Sequence, residues 1–184
     1  MRSHSEAYLD QLRAVFGALS SWGYEACLGY GTLLGAVREG NFIAHDDDVD
    51  VIYRMAGGAG WGAAVREQET LAHRFREMGY IVVSQAPSSL NMHIIDADTR
   101  AMVDLFPSWD EGGMSHLHMQ KMKIESIASD TLWPTSTLAF LGENLPVPQR
   151  PEEFLEVRYG AQWRSPDQFF EWPWRLQESP EKSS

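Results

Sequence analysis

The chain has 184 residues and a mass of 20.8 kDa, which is enough for one domain with a substantial core. Its 26 acidic and 15 basic side chains give a formal net charge of −11, which argues against a general nucleic-acid binder because such proteins need a basic face. A single cysteine, Cys27, excludes an internal disulfide framework and any cysteine-based zinc cluster.

The sequence shows neither a secretion signal nor a membrane segment. Residues 1–10 are polar and lack the apolar run of a signal peptide, and no stretch of about 20 apolar residues is present to cross a membrane. We therefore expect a soluble, cytoplasmic protein built as one domain over residues 1–176. The polar residues 177–184 are expected to form a flexible tail.

The order of apolar and turn-forming residues predicts a mixture of helices and strands. In chain order, the pattern predicts a helix over 5–20, a strand over 26–31, a short helix from Thr32, a strand over 49–53, a helix over 63–78, strands over 80–84, 92–95, 102–106 and 119–127, and a helix from Pro151. The segment between Trp133-Pro134 and Pro151 has the composition of a loop. This succession predicts an α+β or α/β fold with a small mixed sheet.

The densest group of ionisable side chains is the acidic run at 46–50, which leads directly into an apolar strand. On an extended chain alternate side chains share one face, so Asp46, Asp48 and Asp50 point together. Adjacent carboxylates repel one another unless a cation neutralises them, and carboxylate oxygens on a rigid strand suit Mg²⁺ or Mn²⁺. A solvated acidic turn is the alternative, but such a turn need not continue into an apolar strand.

Three common ligand-binding motifs fail on their spacing. An EF-hand counted from the first aspartate of the run would have Val51 at its glycine position and Gly57 at its glutamate position. The glycine-rich segment 29–35 has Leu34 where a dinucleotide fingerprint needs its third glycine. A Walker A loop is also excluded there, because no Gly-Lys pair follows.

Several residues around the acidic run are candidates for binding a substrate. Gly31 and Thr32 lie at the first turn of the short helix, where backbone N–H groups and a hydroxyl can hold a phosphate. Arg38, at the far end of that helix, is a candidate phosphate clamp, with surface solubility as its alternative role. Lys121 and Lys123 share a face if their segment is extended and are candidates for donor contact, although a solvated pair is the simpler interpretation.

A third carboxylate, Asp104, lies inside the apolar strand predicted over 102–106. A buried and unpaired carboxylate is costly, so Asp104 must be paired, protonated or bound to a metal. His93, in the preceding strand, is either a core residue or a neighbour of Asp104 at the site. His116 and His118 have the spacing of a metal-binding pair, but no third ligand lies near them in the sequence.

Taken together, these segments resemble the signature of the LicD family, whose members include bacterial phosphocholine transferases, fukutin and fukutin-related protein. The matching segments are Tyr30–Arg38, Phe42-Ile43, Asp46–Val51, Val103–Pro107, Pro146–Pro148, Tyr159–Trp163 and Pro166. They follow in the family's order over residues 22–166. The chain departs from the family at Ala44-His45, where Pro-Trp is usual.

The resemblance implies a nucleotidyltransferase-like fold, with a small mixed β-sheet flanked by helices. It also implies that Gly31 and Thr32 cradle phosphate and that Asp48, Asp50 and Asp104 bind Mg²⁺ or Mn²⁺. Asp104 would bind the metal, accept the proton of the acceptor, or do both. Asp46 would adjust the electrostatics of the site or hold a water molecule.

The activity that the resemblance implies is transfer of a phospho-alcohol, such as phosphocholine or a polyol phosphate. The donor would be a CDP-activated alcohol, the acceptor a hydroxyl of an oligosaccharide or polysaccharide, lipid-linked or free, and the leaving group CMP. Two alternatives stay open: a true nucleotidyltransferase that releases pyrophosphate, and a non-catalytic member that binds a nucleotide. The intact set of three aspartates counts against the second alternative.

Overall fold

The computed structural model describes residues 4–43, 48–120 and 123–166. Within these ranges the elements are α1 (His4–Ser21), β1 (Ala26–Leu28), α2 (Tyr30–Glu39), β2 (Val49–Arg54), α3 (Trp61–Glu77), β3 (Ile81–Ser84), β4 (Met92–Ile95), β5 (Met102–Glu111), β6 (Met114–Gln120), β7 (Lys123–Ala128), α4 (Ser129–Leu132), β8 (Ser136–Phe140), β9 (Glu143–Val147) and α5 (Pro151–Tyr159). The tail predicted over 177–184 lies outside the described residues. None of the helices in these ranges is both long and apolar enough to span a membrane.

Seven of the strands form one mixed sheet. Five of them lie side by side in the order β1-β2-β5-β4-β3, and β6 and β7 extend the sheet from the far end of β5. The two central strands, β2 and β5, run parallel, and the other neighbours in the sheet are antiparallel. Helices α1, α2 and α3 pack against β5, β2 and β3 respectively. The small mixed sheet flanked by helices that the sequence predicts is therefore confirmed.

The central strand β2 is held rigidly by the core. Val49, Val51 and Tyr53 alternate along one face of the strand and have no solvent exposure. Burying an apolar side chain of this size contributes roughly 1.5–3 kcal/mol, so the strand resists displacement. Asp50 lies between Val49 and Val51 and therefore projects from the opposite face on a fixed backbone.

The prediction of a loop between Trp133-Pro134 and Pro151 was wrong, because this segment contains the β8–β9 hairpin. Its two strands are joined by Leu141-Gly142, whose φ angles of 50° and 84° are those of a type I′ turn. That turn usually carries Asn-Gly or Asp-Gly, so a leucine at its first position hid the hairpin.

The prediction of a single strand over 119–127 was also wrong, because β6 and β7 form a hairpin across that stretch. The strand predicted over 102–106 is longer than expected and continues to Glu111, from which the turn at Gly112-Gly113 leads into β6. Pairing with β2 as far as Ser108 and with β6 from Trp109 to Glu111 extends the strand beyond its apolar segment. Local composition does not reveal such pairing.

Candidate metal centre

Two aspartates of the central strands and a third just before β2 come together on one face of the sheet. Asp50 of β2 lies directly opposite Asp104 of the parallel strand β5, and Asp48 precedes Asp50 by two residues. One carboxylate oxygen from each residue lies within 4.8 Å of the other two. Asp104 is only 5% exposed, while Asp48 and Asp50 are partly buried.

The chemistry of this aspartate cluster fits a divalent metal ion. Three carboxylates this close repel one another strongly, the more so where they are shielded from water, and a cation removes that repulsion. A donor set made only of carboxylate oxygens suits Mg²⁺ or Mn²⁺ better than a softer metal. No other group of three or more His, Cys, Asp or Glu side chains in the described ranges has a comparable geometry.

The turn between β1 and α2 holds Asp50 in place. The Gly31 N–H donates to the Asp50 carboxylate at 2.9 Å, and the Asp50 N–H donates to the Thr32 hydroxyl at 2.9 Å. A Cβ at Gly29 would lie 2.8 Å from the Ile52 side chain, so this close approach requires glycine. Gly31 and Thr32 thus adjoin the aspartate cluster and support it, while their contact with phosphate stays a prediction.

Asp104 is held from the neighbouring strand by His93. The two residues are paired across β4 and β5, and His93 Nδ1 is hydrogen-bonded to Asp104 Oδ1. The other ring nitrogen, Nε2, lies 2.9 Å from Gln85 Nε2. The hydrogen bond to Asp104 raises the pKa of His93 against the opposing effect of burial, and the charges of Asp104 and Asp48 raise it further. His93 is therefore a positioning residue that orients Asp104.

We expect His93→Ala to weaken Mn²⁺ binding about 10- to 100-fold, because metal-binding carboxylates depend on such outer partners. His93→Asn should retain most of the affinity, since its amide can donate from nearly the position of Nδ1. Isothermal titration calorimetry with Mn²⁺ measures the change, with His73→Ala as the control because the His73 side chain is 75% exposed on α3. Equal Mn²⁺ affinities for His93→Ala and the wild type would contradict the positioning role.

Of the other predicted substrate-binding residues, Arg38 and Lys123 lie in the described ranges, and each forms an ion pair with a residue outside the aspartate cluster. Arg38 lies at the opposite end of α2 from Gly31, and its guanidinium pairs with Glu39. Lys123 pairs with Glu125 at 2.8 Å. Asp46 and Lys121 lie outside the described residues, so their roles stay predictions.

The two histidines of β6 take part in packing and hydrogen bonding. His118 is buried, accepts a hydrogen bond from the Leu90 N–H at 3.3 Å and lies edge-to-face with Phe106. His116 stacks on Trp109 with the ring centres 5.8 Å apart. Within the described part of the chain they belong to no group of three possible metal ligands.

The sequence interpretation missed Arg158, a cation of α5 that lies beside the site. Its guanidinium carbon is 4.9 Å from the centre of the Tyr30 ring, and Tyr30 directly precedes Gly31. The available signal was the spacing of Arg158 from Phe154, because residues four apart share a helix face and Phe154 is apolar. Phe154 is buried where α5 packs against α2, so Arg158 carries a positive charge at the end of this buried helix face.

Comparison with known proteins agrees with this description of the fold. Residues 23–150 match the family model described as "LicD/FKTN/FKRP, nucleotidyltransferase domain", a range that contains all three clustered aspartates. A search of curated proteins found no significant match.

Among solved structures, the chain is similar to the solution structure of the antibiotic-resistance factor ANT(2'')-Ia, with a TM-score of 0.50 and 12% identity. The similarity covers 77% of this chain and 66% of that one, so this chain spans just under two thirds of the length of that relative. At this level of identity the likeness shows the fold, which is nucleotidyltransferase-like.

Proposed function

The chain belongs to the LicD family, and on that premise we propose that it is a metal-dependent transferase of phospho-alcohols. The donor would be a CDP-activated alcohol carrying phosphocholine or a polyol phosphate, and the acceptor a hydroxyl of an oligosaccharide or polysaccharide, lipid-linked or free. The observation that carries this proposal is the aspartate cluster, whose oxygens lie within 4.8 Å of one another inside the range matched by the family.

The reaction exchanges one phosphorus–oxygen bond for another. The acceptor oxygen bonds to the phosphorus that carries the alcohol, the bond from that phosphorus to the bridging oxygen breaks, and CMP leaves. A bound Mg²⁺ or Mn²⁺ would supply charge neutralisation for the phosphate oxygens. We assign Asp48, Asp50 and Asp104 to holding that ion, and we assign Asp104 the further role of accepting the proton of the acceptor.

The surrounding residues support these roles by keeping the carboxylates oriented before any substrate binds. Gly31 donates its N–H to Asp50, and His93 is hydrogen-bonded to Asp104. Positioning of this kind lowers the barrier because the reacting groups need not be ordered during the reaction itself.

The first test measures nucleotide binding and needs no knowledge of the acceptor. Thermal unfolding is followed with CDP and CTP, with and without Mg²⁺, for the wild type and Asp48→Asn. A ligand at 100 times its dissociation constant adds about 2.7 kcal/mol, or about 5–11 °C for a chain of this size. We expect a Mg²⁺-dependent shift that Asp48→Asn abolishes. The absence of a shift with either nucleotide in the wild type would contradict the proposal.

The products then distinguish the two reaction types. Release of CMP from a CDP-alcohol in the presence of a glycan acceptor supports the proposed transfer. Release of pyrophosphate from CTP would instead identify a nucleotidyltransferase. Nucleotide binding with neither product, across a panel of CDP-alcohols and acceptors, would favour a non-catalytic nucleotide-binding protein.

A further inference from the structure

Helix α5 brings a cation to the first residue of α2, next to the turn that supports Asp50. The helix packs against α2, and its fully buried Phe154 has its ring centre 6.1 Å from that of Tyr30. One helical turn later, the guanidinium carbon of Arg158 lies 4.9 Å from the centre of the Tyr30 ring and 5.6 Å from that of Tyr159. Two aromatic rings therefore hold the half-buried Arg158 head group.

Tyr30 connects Arg158 with the strands of the metal centre. Its ring lies edge-to-face with Phe106, which follows Asp104 by two residues on β5, at a centre-to-centre distance of 4.9 Å. Its φ angle of 39° is unusual for a bulky residue, because a side chain in this conformation is strained against the backbone. The packing of Phe106 and Phe154 against the ring maintains this turn, which also directs the Gly31 N–H to Asp50.

From this arrangement we infer that Arg158 is the anion-binding residue of the site and takes a phosphate of the diphosphate group in the donor. The inference rests on the proposed function, which supplies a diphosphate-bearing ligand. A guanidinium suits this role because its planar fork can donate to two phosphate oxygens at once.

The charge balance of the site supports a cation at this position. Three aspartates surround the metal centre, and a diphosphate adds further negative charge, so a metal ion alone leaves the assembled site negative. Burial lowers the pKa of Arg158, whereas Tyr30, Tyr159 and the charge of Asp50 raise it. A guanidinium remains protonated through such shifts, so Arg158 keeps its positive charge over the Tyr30 ring.

The test compares binding of inorganic pyrophosphate and of CDP, each with Mg²⁺, by calorimetry in the full chain. We expect Arg158→Gln to weaken both affinities about 10- to 100-fold, as for the loss of a charged hydrogen-bonding group, and to leave Mn²⁺ affinity unchanged. Arg164→Gln is the matched control, because Arg164 also lies over an aromatic ring, that of Trp163 at 4.3 Å, but its side chain is 58% exposed. This control should bind both probes as the wild type does.

The outcomes separate this inference from the proposed function. Wild-type affinity of Arg158→Gln for both probes would overturn the inference and leave the function standing. If the wild type binds pyrophosphate but no cytidine nucleotide, the function fails, and the anion site holds only if Arg158→Gln loses pyrophosphate. Failure of the wild type to bind either probe overturns both.

If Arg158→Gln does not fold, a second variant tests the same inference. Arg158→Met keeps a long side chain over the Tyr30 ring but removes the positive charge. Weakened binding of both probes by this variant supports the inference, and wild-type binding overturns it.

Discussion

Replacing Asp50 by asparagine should reduce turnover at least about 1,000-fold while leaving the protein folded. The loss follows from weaker metal binding, since charge stabilisation by a metal is worth several kcal/mol and each 1.36 kcal/mol changes the rate tenfold. The fold should survive because asparagine still offers an oxygen to the Gly31 N–H, which now donates to Asp50 at 2.9 Å. The thermal midpoint without metal should stay the same or rise, because one of three mutually repelling charges is removed.

Single-turnover release of CMP measures the expected loss of turnover. Thermal unfolding without metal measures the expected midpoint. Asp48→Asn should behave in the same way, because Asp48 belongs to the same cluster. Asp98→Asn is the control, since Asp98 is an exposed aspartate in the turn between β4 and β5. If Asp50→Asn unfolds at a much lower temperature than the wild type, the carboxylate is structural and the assigned role is wrong.

Replacing Gly35 by alanine should destabilise the protein by a net amount of about 2 kcal/mol, even though alanine favours helices. A Cβ at Gly35 would lie 2.5 Å from the carbonyl oxygen of Asn41 and 3.0 Å from the amide nitrogen of Ile43. Both are backbone atoms, so the segment after α2 must move, and overpacking of this kind costs about 3 kcal/mol at the upper end of its usual range. The gain in helix propensity offsets only about 1 kcal/mol of this.

Thermal unfolding should therefore show a midpoint about 4–8 °C below that of the wild type. Gly17→Ala is the matched control, because Gly17 is also helical but a Cβ there would meet nothing within 4 Å. That substitution should raise the midpoint by about 2–4 °C. Equal effects of the two substitutions would show that the close approach at Gly35 does not constrain the fold.

This close approach also matters for the site. The chain reverses at Gly40, whose N–H donates to the carbonyl of Ala36, and then passes back over Gly35. The contact at Gly35 therefore holds Ile43 against the middle of α2, the helix whose first turn supports Asp50.

Some parts of the fold and of the site could be predicted from the sequence because they depend on residues that are close together in the chain. The helix at α1 follows from the spacing of its apolar residues, and α5 begins at Pro151 because proline is favoured in the first turn. Asp104 could be singled out because an acid inside an apolar strand needs a specific partner. The β8–β9 hairpin was missed because Leu141 occupies a turn position usually filled by Asn or Asp.

The sequence by itself determined which carboxylates are available and that Asp48 and Asp50 share a face, since alternation along a strand is a property of the extended backbone. Only the tertiary structure decided that Asp104 lies opposite Asp50, that His93 holds Asp104, and that Arg158 adjoins the turn at Tyr30. These contacts join residues far apart in the chain. They depend on the register of paired strands and on the packing of α5 against α2, and neither is encoded in any short segment.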